Sequence, residues 1–225
     1  DAGNGKVRTE INFEVPLAEL DIREEEGRIS AEVELRVIVR DLDMKEIGSK
    51  NEKVLFMAAF EPGSRVPGLI PGHIILTLDP GYYRFGIETV DANCGKRGVF
   101  SISRSIESFR ETPAVSDILF AKQIDPSTEP NRYMKGNLVV IPHPLHLYRR
   151  PHPIVFYFEI YGLDTDGEDR SFYSVEYSIE PAERRRAGLV YEEITPVISS
   201  SFETSGFGSM QPQRLEIATR ELREG

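Results

Sequence analysis

The feature that most restricts this chain is two-residue alternation across residues 31–40. There Val33, Leu35, Val37 and Val39 point one way, and mostly charged residues, Glu32, Glu34, Arg36 and Arg40, point the other. Only a strand with one face in a core and one in water satisfies that pattern, because a helix would scatter the apolar residues around its axis. Further strand-like runs occupy residues 8–15, 53–60, 73–78, 82–90, 98–102, 138–141, 154–161, 173–179 and 214–219. Turn-forming pairs such as Pro62-Gly63, Pro71-Gly72, Pro80-Gly81 and Asp166-Gly167 separate many of them. Many short strands at this spacing predict an all-β chain built of sandwiches, with one short helix expected over residues 114–123 after Pro113.

The 225 residues suffice for one large domain or two small ones. Hydrophobic residues at 40% and charged residues at 28% argue against disorder and membrane-spanning classes. The net charge of -10 would repel a phosphate backbone, so nucleic acid is not an expected partner. Arg149-Arg150 and Arg184-Arg185-Arg186 read as solvated loop charge. One cysteine, Cys94, excludes an intrachain disulfide, leaving packing to hold the sheets. No run of about 18 apolar residues offers a membrane span. The polar opening Asp1-Ala2-Gly3-Asn4-Gly5 is not a signal peptide, and a secreted chain would begin after one.

The sequence reads twice. Val15-Pro16-Leu17-Ala18-Glu19-Leu20 matches His143-Pro144-Leu145-His146-Leu147-Tyr148, each a proline-leucine corner ahead of the longest strand. Residues 31–40 and 154–161 both run into acidic turns, at Asp41-Leu42-Asp43 and Asp164-Thr165-Asp166. Residues 54–60 close on Glu61-Pro62 as 175–179 close on Glu180-Pro181, and residues 75–81 match 217–225. These matches predict two tandem immunoglobulin-like, fibronectin III-like β-sandwich domains: residues 1–105, a linker over 106–136 with the possible short helix, and 137–225 with a long loop at 182–212.

Within the first copy, Asp79-Pro80-Gly81-Tyr82-Tyr83 resembles a tyrosine corner, with Tyr83 as the corner residue. A chain crossing between sheets leaves backbone groups unpaired, and a tyrosine can bury its ring while its hydroxyl satisfies one of them. The second copy stops at Gly225, the position matching Gly81, so it is expected to be truncated, to borrow strands, or to close differently.

Four pieces together resemble the C-terminal region of GWxTD domain-containing bacterial proteins. They are Val15-Pro16-Leu17 with Leu20; Pro80-Gly81-Tyr82-Tyr83 with Asp91; Ser116-Asp117-Ile118-Leu119-Phe120-Ala121; and Phe156-Tyr157-Phe158-Glu159-Ile160-Tyr161-Gly162-Leu163. The GWxTD motif is absent and the chain has no tryptophan, so that domain's role does not carry over. The resemblance implies a bacterial envelope protein, periplasmic, outer-membrane-associated or extracellular, and supplies no catalytic residues.

The chemistry-bearing residues form no recognised catalytic pattern. His143, His146 and His152 alternate with prolines in an extended segment, whose successive residues diverge rather than converge on a metal. Asp41, Asp43 and Asp91, or Asp164, Asp166 and Asp169, complete no calcium loop. Cys94 reads as a turn residue with no histidine nearby in sequence to activate it. Gly3-Asn4-Gly5 and Gly206-Phe207-Gly208 lack the setting of a phosphate loop, and Glu24-Glu25-Glu26 and Glu192-Glu193 read as surface charge. Alternation puts Phe156 and Phe158 in the core, leaving Tyr157, Tyr161, Tyr173 and Tyr177 as a possible interaction surface on an outer face. The expected role is a non-catalytic structural or protein-interaction module, without cofactor or metal. Its partner would be another protein or a neighbouring domain, with strand-mediated self-association as one route. The alternative on the same tyrosines is carbohydrate binding.

Overall fold

The computed structural model describes residues 3–59, 68–109, 113–180 and 197–222. They form an all-β protein of several antiparallel sheets, with no α-helix among the described residues. In chain order the strands are β1 (Val7–Pro16), β2 (Arg23–Glu25), β3 (Arg28–Arg40), β4 (Glu46–Ala59), β5 (Leu69–Leu78), β6 (Gly81–Asp91) and β7 (Arg97–Ile106), then β8 (Ala114–Val115), β9 (Leu119–Pro126), β10 (Met134–Lys135) and β11 (Leu138–Pro142). They are followed by β12 (Ile154–Tyr161), β13 (Arg170–Ile179), β14 (Ile198–Phe207) and β15 (Gln211–Ile217). The chain divides into two units, Asp1–Arg110 with Asp125–Leu145, and Glu111–Ile124 with His146–Gly225.

In the first unit β1 pairs with β5, and β3 pairs with β4 on one side and with β2 and β6 on the other, β6 carrying β7. The alternation of β3 decides how these sheets meet. Leu35, Val37 and Val39 are buried against Ile74 and Leu78 of β5 and Phe85 of β6, with Ile11 and Phe13 of β1 packed alongside. Leu17, Ile29, Ala31, Val54 and Ile70 extend this core toward the opposite end of β3. A two-stranded sheet is too narrow to cover a five-stranded one, and Phe100 on β7, opposite Ile87, is left 59% exposed.

In the second unit β12 lies between β15 on one side and β8 and β9 on the other, while β13 pairs with β14. Phe156, Phe158 and Ile160 of β12 pack with Val175 of β13 and Ile217 of β15 in a shared core.

Several boundaries differ from the sequence reading. Residues 114–123 hold β8 and the start of β9 rather than a helix: both pair with β12, where the sheet satisfies backbone groups that an isolated short helix would hold only marginally. The segment 106–136, expected as a linker, contributes β8, β9 and β10. The loop expected over 182–212 contains all of β14 and the start of β15. The internal repeat does not extend to the pairing. β3 and β4 are partners, whereas their counterparts β12 and β13 belong to different sheets. The Pro62-Gly63 turn, Arg184-Arg185-Arg186, Glu192-Glu193 and the match at Gly225 lie outside the described residues.

Candidate functional site

The turn from β5 into β6 carries Tyr83, whose hydroxyl donates to the Asp79 carbonyl at 2.9 Å while its ring packs against the first core. That bond satisfies a backbone acceptor where the chain leaves one sheet for the other. At the far end of β6 the buried Asp91 carboxylate accepts from the Asp21 and Asn93 N–H groups at 2.6 and 2.8 Å, and Asn93 Nδ2 donates to the Asp21 carbonyl. Burial pushes the Asp91 carboxyl up, but these backbone hydrogen bonds outweigh it and hold the group below its ordinary value. Cys94 is exposed in the same turn.

A second polar group lies on the face of β1 turned away from the core. Lys135 Nζ of β10 sits 2.7 Å from both Glu10 carboxylate oxygens, Arg8 Nε donates to one of them, and the buried His73 places Nε2 3.4 Å from the other. Tyr133 stacks on the His73 ring and donates to the Pro71 carbonyl, while Arg132 donates to the His73 carbonyl and pairs with Glu52. Burial raises the Glu10 carboxyl, but the His73 contact and the Lys135 charge and hydrogen bond hold it well below the usual carboxylate range. Every charge here has a partner within the unit, so the group fastens residues 132–135 to β1 and β5.

The outer face of the five-stranded sheet is open. β3 contributes Glu32, Glu34, Arg36, Ile38 and Arg40; β6 contributes Tyr82, Arg84, Gly86 and Glu88; β7 contributes Val99, Ser101 and Ser103. Both flanking strands carry exposed apolar side chains, Leu55 and Met57 on β4 and Val99 with Phe100 on β7, and among the described residues each pairs on one side only.

Tyr157, Tyr161, Tyr173 and Tyr177 of the second unit do not share a face. Tyr157 is 3% exposed and donates to Glu159 Oε1 at 2.7 Å, and Tyr161 donates to the other Glu159 oxygen. Tyr173 and Tyr177 lie on the opposite side of the packing, turned inward with Phe156 and Phe158. β13 presents odd-numbered residues to the core, so its exposed aromatic is Phe172, which with Phe207 of β14 replaces the anticipated tyrosine platform. A tyrosine anchor that sequence reasoning missed is Tyr148, whose hydroxyl donates to the Ala121 and Val155 carbonyls and is pushed up to about 12 by burial.

Among the described residues no three of His, Cys, Asp and Glu cluster in a way that could hold a metal ion. Asp41 accepts from the Lys45 N–H, and Asp166 accepts from the Glu168 and Arg170 N–H groups, so both carboxylates shape turns. His146 packs on Phe120 at 4.5 Å. No described helix is long and apolar enough to cross a membrane. Comparison with family models, curated proteins and solved structures finds no match to this chain.

Proposed function

We propose that the chain is a non-catalytic interaction module of a bacterial envelope protein, related to the C-terminal region of GWxTD domain-containing proteins, whose first unit is an immunoglobulin-like sandwich of the fibronectin III kind. The wiring supports the fold reading. β1 and β5 correspond to strands B and E, and β4, β3, β6 and β7 to C′, C, F and G, with Tyr83 at the E–F corner bonded to Asp79. For the second unit the tandem reading has support in its face-to-face sheets, while its pairing requires a different connection of strands.

The observation that carries the interaction reading is the pair of open edges. β7 presents Val99 at 79% and Phe100 at 59% exposure beside a row of backbone groups that is unpaired among the described residues. Such an edge is a template for a strand from another chain, and apolar side chains on it add burial when one arrives. A carbohydrate platform has less support, since Tyr173 and Tyr177 turn inward.

The test is a photo-reactive residue in place of Val99, expressed in the bacterial envelope, with the same residue at Glu24 as a control on the β2–β3 hairpin. A discrete protein adduct from position 99 and none from position 24 is the expected outcome. Absence of any adduct at position 99 and at Leu55 would remove the reading.

A further inference from the structure

The outer face of the five-stranded sheet divides into two electrostatic halves. In one, Lys53 pairs with Glu32 and Glu34 at 3.1 and 2.7 Å, and Arg97 pairs with Glu88 at 3.1 Å, so charge is balanced. In the other, Arg36, Arg40 and Arg84 stand with Ser101, Ser103 and Tyr82; Glu88 of β6 is the register partner of Arg36 and Glu46 of β4 that of Arg40, yet among the described residues none of the three arginines has a carboxylate within ion-pair distance. Arg40 and Arg84 are direct cross-strand partners on β3 and β6, an arrangement that like charge disfavours. Composition does not force it, because the chain carries ten more acids than bases.

One guanidinium lies beside Gly86 and the other on the residue opposite it. Arg40 Nη1 lies 3.7 Å from where a Gly86 Cβ would stand, and Arg84 Nε donates at 3.0 Å to Ser101, the residue opposite Gly86 on β7. The nearest atoms to that added Cβ, at 3.7 and 3.9 Å, are ordinary contacts, so packing does not require glycine. A glycine inside a strand weakens it and often marks a place where a ligand or another backbone comes close. Beside it the β3–β4 register shifts between Val39 and Arg40, a bulge of the kind that re-aims side chains near binding sites.

We propose that Arg40, Arg84, the Ser101 hydroxyl and the bare Gly86 floor bind carboxylate groups on an acidic segment of the partner protein. This deepens the interaction-module reading and rests on it. A guanidinium offers paired N–H donors matched to a carboxylate, and two of them on a shared floor would hold successive acidic side chains of an extended segment. Tyr82, 51% exposed two residues before Arg84, supplies a ring against which that segment's aliphatic stems can pack. The net charge of -10 opposes long polyanions such as nucleic acid, so an acidic segment held here has to be short enough to lie within the field of the arginines.

The experiment is titration of the isotope-labelled full chain with a penta-glutamate peptide, with penta-glutamine and inorganic phosphate as separate arms. Saturable shifts at the Gly86, Ser101 and Ser103 amides are expected with penta-glutamate, weakening with added salt. The double variant Arg40→Gln/Arg84→Gln should weaken binding about tenfold or more, Gly86→Ala should weaken it while folding normally, and Lys53→Gln should leave it unchanged. Shifts elsewhere, equal shifts with penta-glutamine, or wild-type affinity in the double variant would overturn the assignment, as would tighter saturation by phosphate. A Val99 adduct retained at full yield by the double variant would remove this site while leaving the interaction reading in place.

Discussion

Replacing Gly72 by alanine tests how the first unit is closed. Gly72 on β5 is the register partner of Phe13 on β1, and the Phe13 ring lies across it. A Cβ at Gly72 would stand 1.8, 2.2 and 2.5 Å from three ring carbons, so the ring has to move. It packs against both core clusters, and leaving them forfeits part of the ~1.5–3 kcal/mol that burying a phenylalanine contributes. Overpacking adds a penalty of about 1–3 kcal/mol. Against these stands a gain of ~0.5–1 kcal/mol from alanine's smaller backbone entropy in a strand. The net expectation is a loss of about 2 kcal/mol, read from urea unfolding of the full chain followed through the amide resonances of β1 and β5. Gly86→Ala is the matched control, neutral or slightly stabilising, because its methyl meets nothing closer than 3.7 Å. Phe13→Leu in the Gly72→Ala background should recover part of the loss, with a coupling of about 1 kcal/mol in the double-mutant cycle. A Gly72→Ala protein within about 0.5 kcal/mol of wild type would refute the reasoning.

Tyr83→Phe removes the hydroxyl that bonds Asp79 and should cost about 1 kcal/mol in the same unfolding assay, since the Asp79 carbonyl loses its partner. Glu10→Gln leaves the largely buried Lys135 without its carboxylate and should cost about 3 kcal/mol. The pH dependence follows from the sign of the Glu10 shift. Its folded pKa is depressed below the ordinary 4.5, so its contribution is complete above that pH and is lost as pH falls below it. Acid unfolding of wild type should therefore steepen below about pH 4.5, and Glu10→Gln should flatten that limb; identical acid limbs would contradict the assignment.

Alternation made β3 legible from residues alone, because Val33, Leu35, Val37 and Val39 share one face and only one orientation buries all four. The same signal placed β6 and β12, while the Pro80-Gly81 pair and the tyrosines after it identified the turn holding Tyr83. It failed at β14, where the inward row Ile198, Ser200, Phe202, Thr204 and Gly206 has only two large apolar members, and it failed at residues 114–123, where a short mixed segment carries no dominant period.

The sequence by itself determined that the chain is all-β, which strands have a core face, and that a tyrosine stands at the β5–β6 corner. Side-chain period is a local property of a strand, so it survives without knowledge of neighbours. Partner choice is not local, and only the tertiary structure decided that β3 pairs with β4 and β6 while β12 pairs with β8, β9 and β15. Pairing also decided the surfaces. Tyr173 and Tyr177 turn inward because β13 faces β12 across a core, and Arg40 stands opposite Arg84 because β3 and β6, far apart in the chain, share a register. Cross-strand proximity is created by sheet assembly, and no spacing along the chain encodes it.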